Sequence, residues 1–209
     1  NRLPLMVITG ALLIGGGVTA GVWYYFTPEY TRVGYQPVQP IAFSHAIHAD
    51  QLGMDCRYCH SGVEKSWYSN IPTPGLCMNC HSQVLKDSPK LALVRAAAAD
   101  PTKPIPWLQI HKTPEFVYFN HSVHVNRGVS CVECHGQINK MDEVHEAKSF
   151  SMTFCLNCHR DPAAHLRPQD KITDLDWKAA SPQQQREIGT NIMQHLKTQS
   201  LQSCSACHR

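Results

Sequence analysis

The chain has 209 residues, a formal charge of +3 from 19 Lys and Arg against 16 Asp and Glu, 14 prolines, 10 cysteines and only 8% aromatic residues. That length ordinarily makes one or two domains with an apolar core. Its charges are scattered, without the basic stripe that follows a phosphate backbone, and no glycine-rich phosphate loop or dinucleotide fingerprint is present.

Leu3 to Phe26 carries no charge over 24 residues. As an α-helix rising about 1.5 Å per residue it spans about 36 Å, enough for a hydrocarbon layer of about 30 Å, so 1–26 is expected to be a single transmembrane anchor. Pro4 suits the first helical turn, and Trp23, Tyr24 and Tyr25 make an aromatic anchor where the chain leaves the bilayer. Small residues at four-residue spacing (Ala11/Gly15, Gly16/Ala20, Gly17/Gly21) admit a second membrane helix, the plainer alternative being a lone anchor in lipid. A cleaved signal peptide is the competing reading, but Thr27-Pro28-Glu29-Tyr30 offers no small-residue cleavage site.

Residues 27–40 form a connector in which Pro28, Pro37 and Pro40 disfavour a continuous helix. Beyond it stand five copies of one motif, C-x-x-C-H: Cys56/Cys59 with His60, Cys77/Cys80 with His81, Cys131/Cys134 with His135, Cys155/Cys158 with His159, and Cys204/Cys207 with His208. In this pattern two thiols add across the vinyl groups of a haem and the adjacent imidazole becomes the proximal iron ligand. A single copy is also compatible with a zinc half-site or a redox dithiol. Five copies that consume all ten cysteines point to five covalently bound haem c groups, and leave no thiolate for an iron–sulfur cluster.

The 183 residues from 27 to 209, shared among five haems, leave about 37 each, too few for separate apolar cores. The expected fold class is therefore a multihaem cytochrome c: little regular secondary structure, short helices around packed haems, and one N-terminal transmembrane helix. Five haems also bring about ten propionate charges, which reverse the sign of the chain's own +3.

A repeat organises the haem-bearing part. Phe43-Ser44-His45-Ala46-Ile47-His48 precedes Cys56, and Phe119-Asn120-His121-Ser122-Val123-His124 precedes Cys131; both read F-x-H-x-x-H. Each unit holds a second attachment motif further on. The expected organisation is a first dihaem module at 41–87, a linker or surface arm at 88–116 with a short helix over Leu91–Ala99, a second dihaem module at 117–165, and a fifth-haem segment at 166–209. Ser181-Pro182 predicts a helix start, with Ile188, Ile192, Met193 and Leu196 at helical spacing expected to pack on the fifth haem.

Of 13 histidines, eight remain after the five proximal ones: His45, His48, His111, His121, His124, His145, His165 and His195. This supply can close every iron on its far side, and a closed iron transfers electrons without binding substrate. In multihaem cytochromes the first histidine of an F-x-H-x-x-H pair reaches the haem just downstream and the second serves a neighbour. His45 is thus expected on the Cys56/Cys59 haem, His121 on the Cys131/Cys134 haem, and His48 and His124 on other haems. His111 is preferred to His145 or His165 as a further ligand. Met152, three residues before Cys155, either closes a haem through its thioether or packs against one. His195, nine residues before Cys204, is a rival for the fifth haem. Asp142, Glu143 and Glu146 read as a solvated acidic face rather than a catalytic pair.

These features resemble the membrane-anchored pentahaem cytochrome c subunit of bacterial alternative complex III, a quinol:electron acceptor oxidoreductase. The resemblance is carried by Gly34-Tyr35-Gln36-Pro37-Val38-Gln39-Pro40-Ile41 running into His45 and Cys56–His60, by Phe116 through Gly136, and by Met152 through Arg160. It implies that quinol is oxidised elsewhere and that this chain, not itself the catalytic subunit, passes electrons to a monohaem cytochrome c or a terminal oxidase. The implied partners are an iron–sulfur/molybdoprotein-like subunit, polytopic quinol-binding membrane subunits and a monohaem cytochrome c. Covalent haem is attached on the outer face of the cytoplasmic membrane, which places everything after Phe26 on the periplasmic side. Two other readings stay open: a quinol dehydrogenase donating directly to a periplasmic reductase, and a multihaem nitrite- or hydroxylamine-type enzyme, which needs an open iron.

Overall fold

The structure is a computed structural model that describes residues 2–26, 32–197, 199 and 202–208. Leu3–Phe26 forms one unbroken helix whose side chains are not buried against the protein, long and apolar enough to cross a membrane. The Thr9 hydroxyl donates to the Leu5 carbonyl at 2.8 Å, which satisfies the only side-chain hydroxyl near the start of this apolar run.

From Arg32 onward the described chain is a series of short helices and turns, the longest being Pro182–His195 at 14 residues. Among the described residues, strand pairing is limited to single bridges, Val117 with His208 and Val129 with Leu166. All five attachment motifs lie on helices: Cys56–Cys59, Pro74–His81, Cys131–His135, Met152–Arg160 and Cys204–Cys207. Cysteines three apart fall on one side of a single turn, the geometry two adjacent vinyl groups require. Local chemistry starts these turns: Asp55 accepts from the Arg57 N–H at 2.8 Å, Ser151 from the Phe154 N–H at 3.3 Å, and Pro74 occupies the first turn of its helix.

The apolar core is small. Ile41, Val94, Ala97 and Ile105 form one buried cluster, against which Cys77, Met78, Leu91 and Trp107 pack. Segment 88–116 is therefore folded back rather than extended: its helix, Ala92–Ala99 after a 3₁₀ turn at Pro89–Leu91, buries Val94 and Ala97 beside the second attachment motif. The third attachment motif has support of its own, with Leu166, Ile172 and Leu175 buried and the buried Ser130 hydroxyl donating to the Ile172 carbonyl at 2.6 Å.

The Pro182–His195 helix begins at the expected place, capped by Ser181, which accepts from the Gln184 N–H at 3.1 Å. Among the described residues its closest packing is on the turn Pro162–Ala164. Gly189 is the reason: it is buried against the Ala163 backbone, and a Cβ there would collide with the Ala163 carbonyl. Gln185 reinforces the contact by donating to the Leu166 carbonyl at 2.6 Å.

Segments 41–87 and 117–176 are bonded to each other at several points. Ser122 N–H donates to Ser66 O at 3.1 Å, the Asn126 amide to Glu64 O at 3.0 Å, the Thr173 hydroxyl to Asp55 at 3.0 Å, and Ser44 to Asp142 at 2.6 Å. The connector joins them too. Gly34 N–H donates to Glu146 O and Glu146 N–H to Tyr35 O, while Arg32 pairs with the Glu146 carboxylate at 3.1 Å and also donates to the Ile110 carbonyl. Glu146, only 1% exposed, is a buried ion-pair partner and not part of a solvated acidic face. Burial pushes its carboxyl above the usual range, opposed by Arg32.

Candidate metal centres

We number the sites one to five in chain order, after His60, His81, His135, His159 and His208. The F-x-H-x-x-H pairs adopt the same ring geometry in both modules, although Ala46–Gln51 is a wide π-helical turn and His121–Val125 an α-helical one. Phe43 stacks on His48 with centroids 4.4 Å apart and 26° between planes, and stands edge-on to His45 at 4.9 Å and 89°. Phe119 repeats this with His124 at 4.5 Å and 26°, and with His121 at 4.8 Å and 88°.

Ring orientation is set by backbone carbonyls. Nδ1 lies 2.8 Å from Ser44 O in His48, 2.7 Å from Asn70 O in His60, 2.9 Å from Val84 O in His81, 2.8 Å from Trp67 O in His121 and 2.8 Å from Asn120 O in His124. A carbonyl only accepts, so in each ring Nδ1 carries the proton and Nε2 presents a lone pair. This is the tautomer and outer-shell contact that a metal-bound histidine uses.

The rings also stand in pairs. Two imidazoles bound to one metal through nitrogens about 2 Å away place their centroids about 6 Å apart. His48 and His81 are 6.2 Å apart, His124 and His159 are 6.2 Å, and His121 and His135 are 6.5 Å with planes only 4° from parallel. By contrast, His111 and His135 are 4.3 Å apart and perpendicular, too close to share a metal between them. His45 is buried next to His60, the first of the charged-capable neighbours that act on it, ahead of His48 and His111.

Burial favours the neutral form of His135, His45, His111 and His124. It lowers His135 to about 3, helped by His111, His121, His60 and His45, and lowers His45 and His111 each to about 4. His111 hydrogen-bonds the His145 backbone while its Nε2 stays buried without a partner, and His45 Nδ1 and His135 Nδ1 are likewise buried and unpartnered. Buried polar nitrogens without partners are rare in a completed fold, and here they gather around the first and third motifs.

The thiols follow the same plan. Cys134 is pushed up to about 12 by burial and then by Cys158 and Cys155, and Cys158 to about 11 by burial and then by Glu133. The side chains of Cys56 and Cys131 are within hydrogen-bonding contact of each other; this contact lowers Cys56 to about 7 and raises Cys131.

The ten cysteines read alike in the sequence, but the structure does not treat them alike. Cys80 is exposed, as is Cys204, whereas the other eight are partly covered by protein. The difference within the second motif has a local cause. Cys77 and Met78 face the apolar cluster of Ile41, Val94, Ala97 and Ile105, and Cys80 lies in the last turn of Pro74–His81, outside that contact. The protein therefore encloses one thiol of this pair and leaves the other at the surface. Cys80 and Cys204 belong to the second and fifth motifs.

Other candidates lie apart from the imidazole pairs. Met152 is 66% exposed at the start of the helix that carries His159, whose opposite side faces His124. His195 is exposed, with Nδ1 3.0 Å from Asn191 O. His208 lies beside Phe116, centroids 5.6 Å apart. His165 Nδ1 is 2.9 Å from the Glu133 carboxylate, which also meets Arg167 at 3.3 Å, and that contact raises His165. Glu133 sits at an unspecified position of the third motif, so no spacing marks it, and nothing in the sequence signals that the Trp67 carbonyl orients His121.

A family profile described as cytochrome c7 and related cytochrome c matches residues 117–209. Over 191 residues the chain is 30% identical to the multihaem cytochrome c subunit of menaquinone reductase from Nitratidesulfovibrio vulgaris (strain Hildenborough), covering 90% of this chain and 83% of that relative. The chain belongs to the multihaem cytochrome c family. Covalently bound haem c is the cofactor of that family, and the residues of this cytochrome fit it: cysteine pairs on single turns, each followed by a histidine, with imidazoles opposed across the width of one metal. The N-terminal apolar helix of the cytochrome suits membrane anchoring.

Proposed function

We propose that this chain is the electron-carrying subunit of a quinone-linked membrane complex, holding five haem c groups and passing electrons between quinol-handling membrane subunits and a monohaem cytochrome c or terminal oxidase. The observation that supports the reading is the opposed imidazoles at about 6 Å, which would hold an iron from both sides at the second, third and fourth sites. Haem c supplies one-electron chemistry without proton or atom transfer.

The chain's residues do the rest. His60, His81, His135, His159 and His208 serve as proximal ligands. His48 faces His81, His121 faces His135 and His124 faces His159. His45 takes the first site by its equivalence to His121, leaving His111 as a neutral imidazole packed edge-on to His135. Cys80, though exposed, keeps its role as the second attachment thiol of the second site, because it stands one turn from Cys77 and next to His81. The fifth site has two candidates, His195 and Met152, and a sulfur-to-iron charge-transfer band at the red end of the spectrum decides for Met152. Closed irons disfavour the nitrite- or hydroxylamine-type reading.

The partners we propose are those of alternative complex III: an iron–sulfur/molybdoprotein-like subunit, polytopic quinol-binding subunits and a monohaem cytochrome c, with the haem-bearing part periplasmic. A second direction of flow is favoured by the relative above, a subunit of a menaquinone reductase. In that direction the haems receive electrons from a periplasmic donor and quinone is the acceptor. Purification from membranes in mild detergent, followed by addition of quinol, tests both. Copurification of polytopic subunits with haem reduction by quinol supports the first direction; haem oxidation by added quinone supports the second. A solitary protein whose haems respond to neither overturns the reading.

A further inference from the structure

The five sites occur in chain order one to five, but the contacts among them follow a different order. Sites one and two share one histidine turn: His45 lies by His60 while His48, three residues on, faces His81 at 6.2 Å. Their motif helices also touch, the Asn79 amide donating to the Tyr58 hydroxyl at 3.2 Å. Sites three and four repeat this, with His121 facing His135 at 6.5 Å and His124 facing His159 at 6.2 Å. Which member of each pair lies at the junction between modules is settled by the first cysteines: the Cys56 and Cys131 side chains are in contact, and His111, His45 and His60 all lie around His135. The backbone bonds between the modules fall at the same junction, Ser122 to Ser66 and His121 to Trp67.

The fifth motif docks on the stretch leading into the second module: Tyr118 N–H donates to Cys207 O at 2.9 Å, Val117 bridges His208, and Phe116 packs on the His208 ring. Phe119, next in the same stretch, stacks on His124, which faces His159 of the fourth site, and Cys207 is close enough to Cys155 of the fourth motif to act on it. Site two has its thiol neighbour in site one, Cys77 acting on Cys59, and its other flank is covered by the apolar cluster of Ile41, Val94, Ala97 and Ile105, against which Cys77 and Met78 pack. The two exposed thiols, Cys80 and Cys204, fall in sites two and five.

We propose that the five haem sites form one unbranched row in the order two, one, three, four, five, with sites one and three meeting at the junction of the modules and sites two and five at the ends. The assignment rests on the five-haem reading above. It follows that one-electron partners address the chain at the Cys77/Cys80 end and the Cys204/Cys207 end, and that the first site, although nearest the membrane helix in sequence, is an interior one.

Iron positions from anomalous diffraction or cryo-electron microscopy of the haem-loaded chain within its membrane complex test the row, with haem counted separately by intact mass. The expected result is that iron one has irons two and three as nearest neighbours, iron four has three and five, and irons two and five have one near neighbour each. Five irons with site one at an end, or with site two beside site three, overturn the row while leaving the electron-carrier reading intact. Fewer than five covalent haems by mass overturns the five-haem reading on which the row depends.

Discussion

At the scale of single residues, the decisive property is a lone pair held in place. Each of His48, His121 and His124 donates Nδ1–H to a carbonyl at 2.8 Å, which fixes the ring and leaves Nε2 facing a second imidazole. His124→Ala should convert one haem equivalent from low-spin to high-spin ferric iron by EPR, and His48→Ala another; an unchanged low-spin signal in either variant would contradict the pairing. Met152→Leu should leave the site of His159 unaltered, because the far side of that imidazole is taken by His124. Loss in Met152→Leu of the same low-spin component, by its g values, that His124→Ala removes would instead put Met152 on the fourth iron, whereas loss of a different component would put it on the fifth. The two F-x-H-x-x-H pairs were legible as ligand devices because their spacing repeats. Which haem His48 and His124 serve was not legible, since it depends on where 32 and 34 intervening residues bring His81 and His159. Nor did the motif distinguish Cys80 from Cys77, because exposure depends on the apolar cluster that covers one and not the other.

At the scale of elements, short helices do the positioning and capping chemistry starts them. The Leu3–Phe26 helix and the start of the Pro182–His195 helix were readable from charge and from Ser181-Pro182, because both signals are local. The packing partner of Pro182–His195 was not, because Gly189 marks a close approach only when Ala163 is seen across from it. Gly189→Ala should push this helix away from Pro162–Ala164 and cost about 1–3 kcal/mol in denaturant unfolding of the haem-loaded protein, the range for overpacking a tight contact. Ser181→Ala, which removes the bond to Gln184 N–H, should cost about 1 kcal/mol in the same measurement. Equal stability of Gly189→Ala and the parent would show that the helix does not depend on this notch. The arm at 88–116 was likewise readable as a short helix with proline breaks, whereas its burial against the second motif depends on Ile41, more than 50 residues away.

At the scale of the molecule, the small protein core and the gathered imidazoles express one fact: the centre of this fold is built to be filled by cofactor. The buried apolar residues form clusters at the edges, beside the second motif and beneath the third, while the middle holds His45, His60, His111, His121 and His135, kept neutral where burial has lowered them. The five C-x-x-C-H motifs were plain in the cysteines, and their arrangement in space was hidden, because the contact of Cys56 with Cys131 joins residues 75 positions apart. On the function proposed above, electron transfer through this chain depends on its irons being closed on both sides. Spin-quantified EPR of the fully oxidised protein, purified from membranes, is the decisive measurement. Five ferric haems per chain are expected, at least the first four of them low-spin; a high-spin signal amounting to more than one haem per chain would contradict a row of closed irons.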